Sequence, residues 1–124
     1  MPAYFNGTIY YGSVNQPLKA FSIVNAKIAM SSSSVTSSRF GYPGTTPSIS
    51  ANGASNGIVW AVQNDTAELH AYDAKNLATE LYNSNQAPNN RDHFGNNKYI
   101  TPMIANGKVF VGTPTGVIVF GLLQ

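Results

Sequence analysis

Five residues whose side chains could bind a polar ligand lie in two long segments of similar sequence. The candidates are Arg39, Tyr42, Arg91, Asp92 and His93. Each segment carries an arginine, then Phe-Gly, then Thr-Pro. Guanidinium, phenol, carboxylate and imidazole groups donate or accept hydrogen bonds, so they could form a surface site for a glycan or another small polar ligand. The alternative is that each arginine forms hydrogen bonds that hold its own segment in place.

The sequence lacks the patterns of a catalytic or metal site. His70 and Asp73 are three residues apart on a predicted strand, so alternation places them on opposite faces, and Asp73 is expected to cap a turn. His93 beside Asp92 lacks the further ligands that a metal site requires. The serines of segment 31–38 have no Gly-x-Ser-x-Gly context and no paired base. We therefore predict no catalytic residue, no metal ligand and no cofactor.

The composition argues against several classes of protein: nucleic-acid-binding, disulfide-bonded and transmembrane-helical. Hydrophobic residues make up 43% of the 124 residues, while charged residues make up only 10%, well below the roughly 25% of an average soluble chain. The net charge is +2 without a basic cluster, which argues against nucleic-acid binding. The sequence contains no cysteine, which excludes disulfides, and no apolar run of about 18 residues that would predict a transmembrane helix.

An Asn-Gly turn between apolar segments occurs three times. Gly7, Gly57 and Gly107 follow one another at intervals of 50 residues, and an apolar triplet follows each. In the middle copy, the insertion 54–57 separates Asn52-Gly53 from its triplet. Asn-Gly is a strong hairpin signal because both residues tolerate positive φ. A repeat of roughly 40–50 residues made of strands is typical of β-propeller blades.

The repeat predicts an all-β protein of about two and three-quarter β-propeller blades, each a four-stranded antiparallel meander. Blade 1 covers about 2–31, blade 2 about 46–84, and blade 3 about 101–124 without its outer strand. Segments 26–30 and 78–82 are the predicted fourth strands of the first two blades. The intervening segments, 31–45 and 83–99, are predicted links that share one rim, which is why their polar residues are grouped as one candidate site. Alternation places most large aromatic residues in the core: Tyr4, Phe5, Tyr10, Tyr11, Trp60, Phe110 and Phe120.

The repeat also has the pattern Pro-x-x-x-Asn-Gly-x-Val-Phe-Val-Gly around Gly107, and Leu-x-Ala-Tyr-Asp-Ala beginning at Leu69. This pattern resembles the propeller repeat of pyrroloquinoline-quinone (PQQ)-type proteins, and segment 48–120 is similar to the C-terminal blades of secreted bacterial PQQ-like propellers. The resemblance implies a propeller fold and an extracellular or periplasmic location, although no signal peptide is recognisable. Quinone-dependent dehydrogenases of this superfamily use a vicinal disulfide and a carboxylate-bound calcium. Neither cysteines nor an acidic cluster occurs here.

Fewer than three blades would leave apolar blade faces uncovered, since a propeller ring needs about four to eight blades. We therefore predict a homo-oligomer, most simply a dimer that closes a six-bladed ring. The alternative is a fragment that packs beside the remainder of a parent propeller. The predicted function is a non-catalytic binding or scaffold module. The alternatives are a fragment of an exported PQQ-type oxidoreductase whose cofactor site lies outside this chain, and a glycan-binding, lectin-like propeller.

Overall fold

The computed structural model describes residues 1–122 and confirms an all-β chain, organised as three antiparallel sheets. Sheet 1 contains β1 (Ala3–Phe5), β2 (Thr8–Gly12), β3 (Gln16–Val24), β4 (Lys27–Ile28) and β5 (Ser34–Phe40). Sheet 2 contains β6 (Ser48–Asn52), β7 (Ser55–Gln63), β8 (Glu68–Asp73) and β9 (Asn76–Asn83). Sheet 3 contains β10 (Met103–Ala105), β11 (Lys108–Thr113) and β12 (Gly116–Phe120). Leu123 and Gln124, the predicted end of blade 3, lie outside the described residues.

Two of the hairpins turn at the Asn-Gly pairs that the repeat identified. Asn6 and Gly7 have φ of 47° and 77°, and Asn106 and Gly107 have φ of 48° and 69°. Both residues of each pair are therefore in the left-handed region, which matches the twist of the flanking strands. Asp73 accepts a hydrogen bond on Oδ1 from the Lys75 backbone N–H at 2.8 Å, as expected for a residue that caps the β8–β9 turn.

Sheet 1 differs from the expected meander in its outer strands. The predicted fourth strand, 26–30, is reduced to the two residues of β4, and the serine-rich segment predicted as a link forms β5, which pairs with β3. The β3–β5 ladder shifts register between Pro17 and Lys19. Thr36 Oγ1 accepts the Leu18 N–H at 3.0 Å at this shift. The threonine hydroxyl thus accepts the hydrogen bond of a backbone N–H that has no partner in the ladder. Alternation of apolar residues in the sequence does not predict such a bond.

The three sheets pack face to face in chain order. One apolar cluster joins sheet 1 to sheet 2, and its buried members are Tyr10, Leu18, Ala20, Phe40, Val59, Ala61, Tyr72, Ala74 and Leu77. A second cluster joins sheet 2 to sheet 3 through buried Val62, Leu69, Val109 and Val111. Strand β8 has four consecutive buried residues because sheet 2 is covered on both faces.

Only some of the aromatic residues predicted to lie in the core are buried there. Tyr10 is buried, and Phe5, Trp60 and Phe120 are half-buried against the clusters. Tyr4 and Tyr11, expected in the core, are instead 65% and 48% exposed. They lie on the face of sheet 1 that points away from sheet 2, because alternation directs their neighbour Tyr10 inward. Within residues 1–122, no helix has the length and apolar character needed to cross a membrane.

Candidate functional site

The two links meet at one buried side chain. Asn64 follows β7 and is only 4% exposed. Its Nδ2 donates to the Gly44 carbonyl at 3.0 Å in the first link, and its Oδ1 accepts from the Ile100 N–H at 3.3 Å at the end of the second. The links therefore share one edge of the sheets, and a single amide fixes their separation.

An open cleft of about 470 Å³ lies beside this amide, within the size range of ligand pockets. We refer to it as the rim cleft. It is lined by Met1, Tyr11, Gly12, Ser13, Val14, Pro43, Gly44, Thr45, Thr46, Asn64, Tyr99 and Ile100. None of these residues has a charged side chain, so the lining offers aromatic surface, hydroxyls and amides for a neutral polar molecule.

Arg39 and Tyr42, the two candidates in the first link, contact different partners. Arg39 lies on β5, where its guanidinium donates to the Asn15 carbonyl at 3.3 Å. Tyr42 is 56% exposed, and its hydroxyl lies 2.5 Å from that of Tyr99 in the second link. Lys98 places its ammonium 5.3 Å from the centre of the Tyr42 ring, a cation–π contact. Tyr42 therefore sits where the links meet, next to the rim cleft.

Two of the three candidates in the second link, Arg91 and Asp92, form a local cluster with Tyr82. Arg91 donates to Asp92 from Nε at 2.7 Å and from an Nη at 3.0 Å. Tyr82 on β9 donates its hydroxyl to the same carboxylate at 2.5 Å. The Arg91 guanidinium lowers the pKa of Asp92, and burial raises the pKa of Tyr82. His93 is exposed. These contacts hold the segment against sheet 2.

The two groups of candidates are not joined in the described part of the chain. No hydrogen bond or ion pair connects Arg39 or Tyr42 to Arg91, Asp92 or His93 within residues 1–122. The contacts of Arg39 and Arg91 match the alternative in which each arginine holds its own segment. Tyr42 is the candidate that approaches the other link.

Buried His70 contacts two carboxylates that the sequence pattern did not single out. Its Nδ1 lies 2.6 Å from Glu80 Oε1, and its Nε2 lies 3.4 Å from Glu68 Oε2. The ring stacks on Tyr72 with centroids 5.7 Å apart and meets Phe40 of sheet 1 edge-on. Because His70 is 1% exposed, it cannot contact a substrate, and the cluster serves the packing of sheet 1 on sheet 2.

The sheets at the two ends of the stack each expose an apolar face. On sheet 3, Met103 pairs with Phe110, which pairs with Val119, and the three form one row across the strands. Met103 and Val119 are 57% and 49% exposed, and neighbouring Val117 is 65% exposed. Since Val109 and Val111 face sheet 2, alternation directs this row away from it.

Sheet 1 has a matching row on its own outward face. Tyr4 pairs with Ile9, which pairs with Phe21, so the row crosses β1, β2 and β3. Ile23 and Ile28 extend the apolar surface toward β4, where Ile28 is 57% exposed. We call the two surfaces the end faces. Where a sheet packs against another layer, its covered face carries rows of paired apolar side chains.

Comparison with protein-family models, curated proteins and solved structures gives no match. Two features of the chain's own geometry bear on function: the rim cleft, where the links meet, and the two end faces. Residues 1–122 contain no group of three or more His, Cys, Asp or Glu side chains arranged to hold a metal ion.

The sequence pattern did not identify several residues that have structural roles in and around the site. Asn64 and Tyr99 lie in connecting segments, and their roles depend on contacts with residues 20 to 57 positions away. The polar Asn64 directly after an apolar strand was the available signal. Glu68 lies two residues before His70 on β8, where alternation places both on one face. Glu80 reaches His70 because β9 pairs with β8 opposite Tyr72, and a one-dimensional pattern does not contain that contact.

Proposed function

We propose that this chain is a non-catalytic scaffold or binding module, built as an arc of a β-propeller, and that further blades pack on its two end faces. The observation that carries the proposal is the apolar row on each end face. A monomer seldom leaves a contiguous apolar patch larger than a few hundred Å² exposed unless that patch is an interaction site.

The arrangement of strands supports the propeller interpretation. Each sheet begins with a short strand at one edge, β1, β6 or β10, and the next two strands follow it in antiparallel order. Strand β6 contacts both β1 and β10, so these first strands lie near one another. Ser48 Oγ on β6 donates to the Pro102 carbonyl, directly before β10, at 2.5 Å. First strands that converge around an axis are what radially arranged blades require.

Covering an end face would be favourable. Full burial of a Val or Met side chain is worth about 1.5–3 kcal/mol. Met103, Val117 and Val119 retain about half of their exposure, so covering them contributes about 1 kcal/mol each. Phe110, between Met103 and Val119, adds to this sum. This burial is a favourable contribution to association, and the apolar face lacks the charged side chains of a nucleic-acid-binding surface.

A charge placed on the end face of sheet 3 tests this proposal. Val119→Asp should reduce the association constant at least ~100-fold, because it removes about 1 kcal/mol of burial and buries a carboxylate without a partner. Leu81→Asp is the matched control, since Leu81 on β9 is 52% exposed and belongs to neither end face. Sedimentation velocity over a concentration series measures association, and circular dichroism checks folding. Equal association of both folded variants would contradict the proposal.

A second candidate function is the binding of a neutral polar ligand, such as a sugar, in the rim cleft. The uncharged side chains of the lining, with exposed Tyr11 and Tyr99, favour it, because the face of an aromatic ring attracts the positive C–H edge of a sugar. A glycan array tests it directly. Binding that is lost on Tyr99→Ala but kept on Tyr4→Ala, an exposed tyrosine outside the cleft, would support this function, and no binding by the unmodified chain would exclude the arrayed glycans.

A further inference from the structure

We infer that both end faces are covered by a second copy of this chain, added head to tail, so that sheet 3 of each copy packs on sheet 1 of the other. The inference rests on the proposed function and names the partner. It follows from comparing equivalent positions of the repeat, because the two interfaces inside the chain show how one sheet packs on the next.

The aromatic position after the Asn-Gly turn faces the next sheet along the chain. Tyr10 of sheet 1 lies in the cluster with sheet 2 and donates its hydroxyl to the Ala74 carbonyl of that sheet at 2.7 Å. Trp60, 50 residues later, packs against the cluster with sheet 3. Phe110, after another 50 residues, occupies the outward row of sheet 3. That end face is therefore of the kind that packs on a following sheet, and we call it the leading face.

The aliphatic position one residue earlier faces the preceding sheet. Val59 of sheet 2 lies in the cluster with sheet 1, and Val109 of sheet 3 lies in the cluster with sheet 2. The equivalent residue of sheet 1 is Ile9, which lies in the outward row between Tyr4 and Phe21. The exposed side of sheet 1 is therefore of the kind that receives a preceding sheet, and we call it the trailing face.

One chain therefore ends in a leading face and begins with a trailing face. These two surfaces are the counterparts that already pack on each other twice within the chain, so a second copy supplies the partner for each. Two copies joined through two identical contacts provide six sheets, within the range of about four to eight that closed propellers contain, whereas three copies would provide nine. The repeat thus favours a closed pair over a longer ring.

The internal interface also predicts which residues meet between copies. Ser48, the first residue of β6, contacts Pro102, which precedes sheet 3. Met103 holds the same position in sheet 3 as Ser48 does in sheet 2, since each pairs with the equivalent aromatic residue of the next strand. Pro2 precedes sheet 1 as Pro102 precedes sheet 3. Met103 of one copy should therefore lie beside Pro2 of the other.

Thiol cross-linking of the full chain tests this contact, and the lack of natural cysteines makes the result unambiguous. The double variant Met103→Cys/Pro2→Cys, treated with a short bis-maleimide, should give a covalent dimer on a denaturing gel. A link within one chain would leave that chain at its monomer position on the gel, so the dimer band reports a contact between copies. The control Leu81→Cys/Pro2→Cys carries an equally exposed thiol on β9 and should remain uncross-linked.

Each other outcome overturns the inference. An assembled native mass without the cross-linked dimer would reject head-to-tail packing and leave the proposed function intact. A ladder of larger cross-linked species would reject a closed pair. A native mass of one chain for the unmodified protein would reject the second copy as the partner. Dimers from the Leu81→Cys/Pro2→Cys control in equal yield would show that the cross-link reports random encounter.

Discussion

Two buried tyrosines provide an internally controlled test of the packing between sheet 1 and sheet 2. Tyr10 and Tyr72 are each 1% exposed and belong to the same apolar cluster. The Tyr10 hydroxyl donates to the Ala74 carbonyl at 2.7 Å, whereas the Tyr72 hydroxyl is buried without a hydrogen-bond partner among the described residues. Replacing each tyrosine by phenylalanine removes one oxygen atom and changes little else, so only Tyr10→Phe should lower the free energy of unfolding.

The magnitudes follow from the hydrogen-bonding of each hydroxyl. Tyr10→Phe removes a buried hydrogen bond and leaves the Ala74 carbonyl without this donor, which should lower the free energy of unfolding by about 1–2 kcal/mol. Tyr72→Phe removes a hydroxyl that was desolvated without compensation, so the free energy of unfolding should stay the same or rise by up to about 1 kcal/mol.

Alkaline pH adds an independent measurement on the same residues. Burial raises the pKa of Tyr72 above its usual value of 10.0, and the nearby Glu80 carboxylate adds to this rise. Because the folded-state pKa lies above the unfolded one, this contribution to stability is complete below pH 10 and is lost as the pH rises further. Tyr72 contributes about 1.4 kcal/mol per pH unit to the alkaline loss of stability, so Tyr72→Phe should reduce the slope by that amount. Burial also raises the pKa of Tyr10 and Tyr82, so part of the loss remains in this variant.

Urea unfolding followed by fluorescence measures both effects. The chain concentration must be equal in all samples, because association through the end faces would shift the midpoint. A loss of stability in Tyr72→Phe as large as that in Tyr10→Phe would refute the assignment of paired and unpaired hydroxyls. An unchanged alkaline profile in Tyr72→Phe would refute the effect of burial on its pKa.

Three further substitutions test individual contacts, each by urea unfolding. Asn64→Ala should lower stability by about 2–4 kcal/mol, because it leaves both links without their shared partner; a loss below about 0.5 kcal/mol would contradict the bridging role. Gly57→Ala should cost about 1–3 kcal/mol, because the new Cβ collides with the Phe5 ring, and Phe5→Leu in the same chain should recover part of that loss. Thr36→Val should cost about 1–2 kcal/mol, since the Leu18 N–H loses its acceptor; no loss would mean that this hydroxyl does not repair the ladder.

The sequence predicted the strands and turns best where the repeat is regular. The predicted fourth strand at 78–82 lies within β9, and the Asn-Gly turns at Gly7 and Gly107 join the expected hairpins. It failed in sheet 1, because β5 is a serine-rich strand with little apolar alternation. That strand depends on the Thr36 hydroxyl, which completes the ladder across the register shift in β3. Side-chain hydrogen bonds of this kind leave no periodic signal.

The sequence indicated that the two links lie together but did not indicate which side chains line the cleft between them. The similar sequences of the links placed Tyr42 at the shared edge, where it meets Tyr99. The pattern did not distinguish a side chain that lines a cleft from one that holds its own segment, as Arg39 and Arg91 do. The decisive residue, Asn64, acts through contacts that appear only once the three sheets are stacked.

The native mass of the unmodified chain distinguishes a closed pair from a single chain and from an open series of copies. In the head-to-tail pair that we infer, each copy covers both end faces of the other, so mass spectrometry under native conditions, with sedimentation equilibrium in solution, should give two chains of 13.2 kDa each. The same mass should persist on dilution until the pair dissociates into single chains. A folded single chain at every concentration, or an open series of larger species, would contradict the closed pair.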